Sequence, residues 1–185
     1  HRKDTKERCL SMLRAAFTGT QRFGAIFWSS DINCTWDAYK RQVPCGLNFC
    51  ASGMPYWSSD IGGWHSLDHP LAGFGYYPDE YPELFIRWFQ YGAFCPIFRT
   101  HGRRKENEVW SYGEEAERIL VEYLRLRYRL LPYIYSNAWF TWKTGAPFMR
   151  ALFMDFGHDR KVLDIKDQYM FGKAIMVAPV VNQGQ

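Results

Sequence analysis

The sequence lacks the patterns that mark several common classes of protein. Its five cysteines are odd in number and include no Cys-x-x-Cys pair, which argues against a zinc site of the usual spacing and against a disulfide framework. No apolar run reaches the roughly 18 residues of a membrane-spanning helix. The net charge is only +4, and the positive residues are scattered rather than gathered into the stripe typical of nucleic-acid binding. We therefore expect no membrane span, no nucleic-acid partner and no metal.

The first residues also lack an initiating Met and a signal-peptide pattern. The chain opens on His1 within the charged run HRKDTKER, and it ends on VVNQGQ after a strand-like run. We interpret the chain as part of a longer polypeptide. Its compartment therefore stays unknown, with a periplasmic or secreted location suggested by analogy only.

Aromatic residues, by contrast, are abundant. They make up 18% of the chain, with eight Trp and twelve Tyr. Aromatic side chains bury well, and their faces also stack on apolar ring faces, including those of sugars. A tryptophan-rich core is the alternative interpretation, and we assign about half of the tryptophans to it.

The order of apolar and polar segments predicts an α/β architecture with parallel strands. Strand-like runs are followed by polar loops and then by helical periodicity. The predicted strands before residue 100 are 12–17, 24–28, 53–57 and 93–98. The predicted helices are 35–42, broken or kinked near Pro44, then 81–91, and 114–143, with a capping box at Ser111 and Glu114 and a split at Pro132.

The chain changes character after Gly145, which together with Pro147 is expected to end the last helix. Strands are predicted at 148–156 and 174–181, and helices are not evident there. We accordingly divide the chain into a barrel-like part, 1–145, and the start of a β domain, 146–185.

Three predicted strands end in polar residues that are suited to chemistry. Asp31 follows the first, Asp60 the second, and Arg99 with His101 the third. In a β/α barrel the carboxyl ends of the strands share one face, and that face carries the active site. These residues are therefore predicted to converge on one pocket.

Each of these residues has a structural alternative. Asp31, expected to be partly desolvated between Trp28 and Trp36, is suited to general acid catalysis, or it caps the following helix. Asp60 binds sugar hydroxyls or bonds its own turn. Arg99 and His101 orient a substrate or serve as structural residues.

Five stretches, in order and at family spacing, resemble glycoside hydrolase family 31. They are RAAFTGTQRFGAIFWSSD, GLNFCASGMPYWSSDIGGW, ELFIRWFQYGAFCPIFRTHG, LRYRLLPYIYSNA and DQYMFGKAIMVAPV. The resemblance covers nearly the whole chain. It implies the C-terminal portion of a (β/α)8 TIM barrel followed by the start of a β-sandwich domain, in an enzyme that hydrolyses α-glycosides with retention of configuration and without a cofactor.

The resemblance also implies roles for individual residues. Asp31 matches the general acid/base of the family, and two positions depart from the family pattern: Ser30 stands where Gly is usual, and Trp64 where Phe is usual. The residues that match the sugar-binding positions are Arg14, Trp28, Asp60, Trp64, Arg99 and His101.

The nucleophile of the family lies upstream of these stretches, in a motif that this sequence does not contain. Retaining hydrolysis requires two carboxylates, so the resemblance implies that the N-terminal half of the same polypeptide is a necessary partner and that these residues do not turn over alone. The stretches favour an α-xylosidase. An α-glucosidase, an α-glucosyltransferase and a non-catalytic carbohydrate-binding barrel remain alternatives, whereas an unrelated phosphate-handling enzyme would need a Gly-rich loop that Gly62-Gly63 does not provide.

Overall fold

The computed structural model describes residues 6–7, 10–65, 81–103 and 107–185. Its first part is a parallel sheet of three short strands, in the order β1-β2-β3. The strands are β1 (Ser11–Leu13), β2 (Ala25–Trp28) and β3 (Trp57–Ser58). A 3-10 helix, Thr20–Phe23, precedes β2. The predicted α/β architecture with parallel strands is thus confirmed.

Four helices accompany this sheet. They are α1 (Trp36–Ala51), α2 (Tyr81–Gly92), α3 (Glu114–Arg129) and α4 (Leu131–Thr144). The split near Pro132 is confirmed, because α4 starts with this proline in its first turn, where the missing N–H is tolerated. Gly145 ends α4 as predicted, with the positive φ of 75° that glycine adopts readily.

Helix α1 corrects the prediction of a break near Pro44. The helix continues through Pro44 to Ala51. Tyr39, Val43 and Leu47 recur at helical spacing and are all buried. Burying such a face stabilises the helix by more than the roughly 3 kcal/mol that an internal proline costs.

Residues 93–98 do not form the strand that their apolar character predicts. They follow α2 as turns and bends. The N–H of Ile97 still donates to the carbonyl of Trp57 at 3.1 Å, and Thr100 forms an isolated parallel bridge with Ile61. The segment therefore runs beside β3 without a regular ladder, and its backbone needs other hydrogen-bond partners.

The capping box predicted at Ser111 is also wrong. Gly113 is the residue that precedes α3, and no side chain caps the helix there. The hydroxyl of Ser111 instead bonds to a carboxylate oxygen of Glu108 at 3.4 Å.

An antiparallel sheet of three strands, in the order β4-β5-β6, follows the helices. The strands are β4 (Met149–Ala151), β5 (Tyr169–Phe171) and β6 (Ile175–Val177). The prediction of a single strand over 148–156 is only partly right, because α5 (Leu152–Phe156) begins directly after β4. A 3-10 helix, Arg160–Val162, further corrects the expectation that this part has no helices.

One hydrophobic core extends from the parallel sheet to the antiparallel sheet. It contains Trp57 and Trp88 from the first part and Phe148 and Phe171 from the second. Cys95 lies in the same core, and burial raises the pKa of its thiol to about 12, so it acts there as a small apolar side chain. A domain boundary after residue 145 stays a prediction.

Candidate active site

The predicted site residues lie at the carboxyl ends of the parallel strands. Arg14 directly follows β1, Asp31 comes three residues after β2, and Asp60 comes two residues after β3. Because parallel strands present their carboxyl ends at the same edge, the three loops start side by side.

Backbone hydrogen bonds tie these loops together. The N–H groups of Trp64 and His65 both donate to the carbonyl of Ile32, at 2.7 and 2.9 Å. In return, the N–H of Cys34 donates to the carbonyl of His65 at 3.0 Å. The backbone N–H of Arg103 donates to the carbonyl of Trp64, also at 3.0 Å. The loop after β2, the loop after β3 and the segment after Arg99 therefore form one connected rim.

The close approach of two of these loops requires a glycine at position 63. Its φ is +82°, and an added Cβ would lie 2.7 Å from the backbone oxygen of Asn33. Both the left-handed backbone and the lack of space disfavour any larger residue. Gly63 thus has a specific conformational role at this contact between the loops.

Asp31 pairs with Arg14 across the first two strands. One guanidinium nitrogen of Arg14 donates to both carboxylate oxygens of Asp31, at 3.1 and 3.4 Å. The Asp31 side chain is 29% exposed, so a ligand can reach it. The N-cap alternative is wrong, because the hydroxyl of Thr35 caps α1 by accepting from the N–H of Ala38.

Trp28 lies between two of the predicted arginines. The guanidinium carbon of Arg14 is 5.6 Å from the centroid of its ring, and that of Arg99 is 5.7 Å from it. Both distances fall in the range of cation–π attraction. Trp28 therefore links the Asp31 side of the site to the Arg99 side.

Asp60 is the most buried of the predicted residues, with a fully inaccessible side chain. Arg99 donates to one of its carboxylate oxygens at 2.5 Å, so the turn alternative does not explain this side chain. Burial raises the pKa of Asp60 above its usual value; the charges of Arg99 and His101 oppose that shift, and the charge of Asp31 adds to it. Three charged residues of the site thus act electrostatically on Asp60.

Trp64 and His101 complete the group on the Asp60 side. Their ring centroids are 4.9 Å apart, with an angle of 36° between the planes. Direct side-chain contacts thereby join five of the seven predicted residues in the order Asp31, Arg14, Trp28, Arg99 and Asp60. Trp64 and His101 form a separate pair on the same rim.

Several buried polar atoms at this place have no hydrogen-bond partner among the described residues. They are Trp28 Nε1, Ser29 Oγ, Asp60 Oδ2 and Arg99 Nε. Buried polar atoms are nearly always satisfied in folded proteins. A bound polar molecule would satisfy these four atoms, although others, such as Gln42 Oε1 and Trp57 Nε1, lie outside the cluster.

Ser30 adopts a strained backbone conformation beside the acid. Its φ is +65°, in the left-handed region that non-glycine residues seldom occupy. Gly, which is usual at this position in the family that the sequence resembles, would adopt this φ without strain. The serine therefore costs the protein some stability.

Supports from helix α2 were not predicted from the sequence. The indole N–H of Trp88 donates to the hydroxyl of Ser59 at 3.0 Å, and the hydroxyl of Tyr81 donates to the carbonyl of Gly62 at 2.9 Å. These bonds hold the residues on either side of Asp60. The sequence pattern predicted a helix over 81–91 but could not reveal that two of its aromatic side chains donate hydrogen bonds to the site loops.

The described residues contain neither a metal-binding cluster nor a membrane-spanning helix. No group of three or more His, Cys, Asp or Glu side chains among them is arranged to hold a metal ion. No helix in this part of the chain is long and apolar enough to cross a membrane.

Comparison with known families agrees with this geometry. Residues 1–137 match the family model described as the glycosyl hydrolases family 31 TIM-barrel domain, and residues 145–185 match the family 31 C-terminal domain. The fold is therefore that of a TIM-barrel portion followed by the β domain, which confirms the predicted fold class. The chain belongs to glycosyl hydrolase family 31.

Individual relatives carry two kinds of name. The chain is 44% identical over 179 residues to an alpha-xylosidase of Saccharolobus solfataricus, covering 97% of this chain and 24% of the relative. It is 35% identical over 183 residues to neutral alpha-glucosidase C of Mus musculus, covering 98% of this chain and 19% of that protein. The chain thus spans about a quarter or less of the length of these relatives.

A solved structure is similar over the entire chain. It is a GH31 alpha-xylosidase from a soil metagenome complexed with xylose, with a TM-score of 0.91 and 40% identity, and the match covers 100% of this chain and 29% of that one. A dextranase of the same family from Flavobacterium johnsoniae, complexed with glucose, gives a TM-score of 0.88 at 33% identity, over 100% of this chain and 22% of the other.

Proposed function

We propose that the polypeptide containing this chain is a retaining α-glycosidase in which Asp31 is the general acid/base. The observation that carries the proposal is the position of Asp31: it is accessible, paired with Arg14, and adjacent to a cluster of buried polar groups at the carboxyl ends of parallel strands. A carboxyl so placed can protonate a leaving oxygen and later deprotonate water. The nucleophile would come from a part of the polypeptide outside these residues.

The remaining residues bind the sugar or hold the residues that do. Arg99, which is 21% exposed, contacts the sugar and is held by the Asp60 carboxylate, whose side chain is inaccessible and whose second oxygen has no partner among the described residues. Trp28 and Trp64 supply ring faces for the apolar side of the sugar. Arg14 orients Asp31 through its two hydrogen bonds, and His101, exposed next to Trp64, donates to a further hydroxyl.

We favour xylose as the sugar at the cleavage position. A xylose pocket must fill the space that the hydroxymethyl group of glucose would occupy, and Trp64 is larger than the Phe that is usual there. Relatives named as alpha-xylosidases, at 44% and 40% identity, support this choice. An α-glucosidase is the alternative, supported by the relative named neutral alpha-glucosidase C at 35% identity.

The experiment compares kcat/KM of the complete polypeptide on an aryl α-xyloside and an aryl α-glucoside. We expect a preference for the xyloside, which Trp64→Phe should reduce by about 10-fold, because filling one carbon-sized space discriminates by about 10- to 200-fold. Trp142→Phe is the matched control, since Trp142 is 74% exposed on α4. A preference for the glucoside would overturn the sugar assignment alone, whereas no activity on any α-glycoside would overturn the glycosidase.

A further inference from the structure

Residues 93–96 lead from α2 into Arg99 and His101, and their backbone lacks a regular partner strand. Pro96 has no N–H to contribute to a ladder, and the residues form turns and bends. Ala93 and Cys95 are almost fully buried. Buried carbonyl groups need hydrogen-bond donors, so something outside a sheet must satisfy this segment.

Arg127 supplies those donors from helix α3. One of its terminal nitrogens donates to the carbonyls of Ala93 and Cys95, at 2.8 and 2.7 Å. The other donates to the carbonyl of Pro96 at 2.9 Å. A planar guanidinium with several fixed donors suits three such acceptors, whereas a lysine ammonium would fit them less well.

The surroundings of Arg127 are those of a structural clamp. It is 9% exposed, and its guanidinium carbon lies 5.7 Å from the ring centroid of Phe98 and 6.0 Å from that of Phe171. Burial lowers the pKa of the Arg127 guanidinium, and the nearby Cys95 and Tyr169 offset only part of that shift. No carboxylate of the described residues forms an ion pair with it, so the carbonyls are the groups that hold its charge.

The clamped carbonyls lie just before two site residues. Arg99 follows Pro96 by three positions and makes the 2.5 Å contact with Asp60, and the His101 ring lies against that of Trp64, tilted by 36°. The hydroxyl of Tyr169 adds one more bond to this segment, to the carbonyl of Phe94 at 3.0 Å. The path of residues 93–98 thus fixes where the Arg99 guanidinium and the His101 ring enter the site.

We propose that Arg127 is a positioning residue that places Arg99 and His101 by holding the carbonyls of Ala93, Cys95 and Pro96. The inference rests on the proposed glycosidase function of the site. Arg127 does not reach the substrate; it acts through the segment that carries the two binding residues.

Arg127→Lys in the complete polypeptide is the decisive variant, because it keeps the positive charge and loses the guanidinium fork. We expect a folded enzyme whose kcat/KM is reduced about 10- to 100-fold, since small misplacements of binding groups have effects of that size. Arg127→Met should reduce kcat/KM further. Arg125→Met is the matched control, because Arg125 lies exposed on the same helix and should leave activity unchanged.

The pH profile separates positioning from a general loss of stability. Asp60 interacts with Arg99, His101 and Asp31, and Arg99 is the strongest of the groups that lower its pKa. A displaced Arg99 would therefore let the pKa of Asp60 rise, and the acidic limb of kcat/KM should move to higher pH in Arg127→Lys. A folded Arg127→Lys enzyme with the wild-type limb and wild-type kcat/KM would overturn the inference.

A crystal structure of Arg127→Lys keeps this test independent of the proposed function. We expect the contact between Arg99 and Asp60 to lengthen or break in the variant. An unchanged contact would contradict the positioning role even if the wild-type enzyme proved inactive on every α-glycoside, an outcome that would itself refute the glycosidase.

Discussion

The tetrapeptide Trp-Ser-Ser-Asp occurs at residues 28–31 and again at 57–60, at the ends of two neighbouring parallel strands. The two copies have different environments. In the first, Trp28 is partly exposed between two arginines and Asp31 is accessible; in the second, Trp57 and Asp60 are both fully buried. The same four residues therefore serve the site in one copy, and both the core and the site in the other.

The register of the strands explains the difference. Phe27 lies opposite Trp57, and Trp28 lies opposite Ser58, so the two copies are staggered by one residue. Since side chains alternate between the faces of a strand, a one-residue stagger sends equivalent residues to opposite faces. Trp57 faces helix α1, where an added Cβ on Gly46 would lie 2.6 Å from its ring, whereas Trp28 faces the site.

The largest effect predicted by this comparison concerns the two tryptophans. Trp57→Ala should destabilise the protein by about 3–5 kcal/mol, the range for removing a large aromatic side chain from a core. Trp28→Ala should cost about 1 kcal/mol, because the ring contributes mainly cation–π contacts. Denaturant unfolding of the complete polypeptide measures both, and equal losses would show that the stagger does not separate the two roles.

The two aspartates should differ in the same direction. Asp60→Asn deprives the largely buried Arg99 of its carboxylate partner but also removes a charge that burial disfavours, so we expect a net loss of about 1–2 kcal/mol. Asp31→Asn should change stability by less than about 1 kcal/mol, because its pair with Arg14 is exposed. The free energy of unfolding of each variant checks this, and a larger loss for Asp31→Asn would contradict the environments described here.

A third prediction concerns pH. The pKa of Asp60 is raised by burial and lowered by Arg99, so Arg99→Met should raise it further. A carboxyl with a raised pKa binds its proton more tightly in the folded protein, so its contribution to stability decreases as the pH rises through that pKa. Because the site requires Asp60 as a carboxylate in this account, a higher pKa of Asp60 should move the acidic limb of kcat/KM to higher pH in Arg99→Met. The limb should stay in place in the control Arg41→Met, which removes an exposed pair with Asp37. A limb that does not move in Arg99→Met would show that Asp60 does not define it.

The smallest effect is expected at the serines. Ser30→Gly should stabilise the protein by about 0.5–1 kcal/mol, because Ser30 has a φ of +65° and glycine relieves that strain. Ser59→Gly, at a comparable position of the second copy, should instead destabilise it, because the Ser59 hydroxyl accepts the indole N–H of Trp88. Thermal unfolding of the two variants measures the signs, and the same sign in both would be inconsistent with this comparison.

Much of the site could be predicted from the sequence, because strand ends in a parallel sheet converge whatever the details of the strands. Asp31 and Asp60 could be placed together on that argument alone, whereas Arg99 follows a segment that forms no regular strand. The path of residues 93–98 could not be predicted, since their apolar character fits a strand and the clamp that replaces the ladder comes from Arg127, some 30 residues later.

Other differences come from tertiary packing that overrides a local signal. Pro44 predicts a helix end, but the buried face of α1 extends beyond it. The stagger of the two Trp-Ser-Ser-Asp copies is a property of strand pairing, which no single segment encodes. Local patterns therefore identified the elements, while the environments of the two aspartates depended on contacts between elements.

The most direct test of the central claim measures Asp31→Ala and Asp60→Ala in the complete polypeptide on aryl α-xylosides with leaving groups of increasing basicity. If Asp31 is the general acid, Asp31→Ala should reduce kcat/KM little for the best leaving group and by about 10²- to 10⁴-fold for the poorest, the range for a lost acid catalyst. Asp60→Ala should reduce it by a similar factor for all of them, because binding does not depend on the leaving group. An equal loss across the series in Asp31→Ala, or no loss, would contradict the assignment of Asp31.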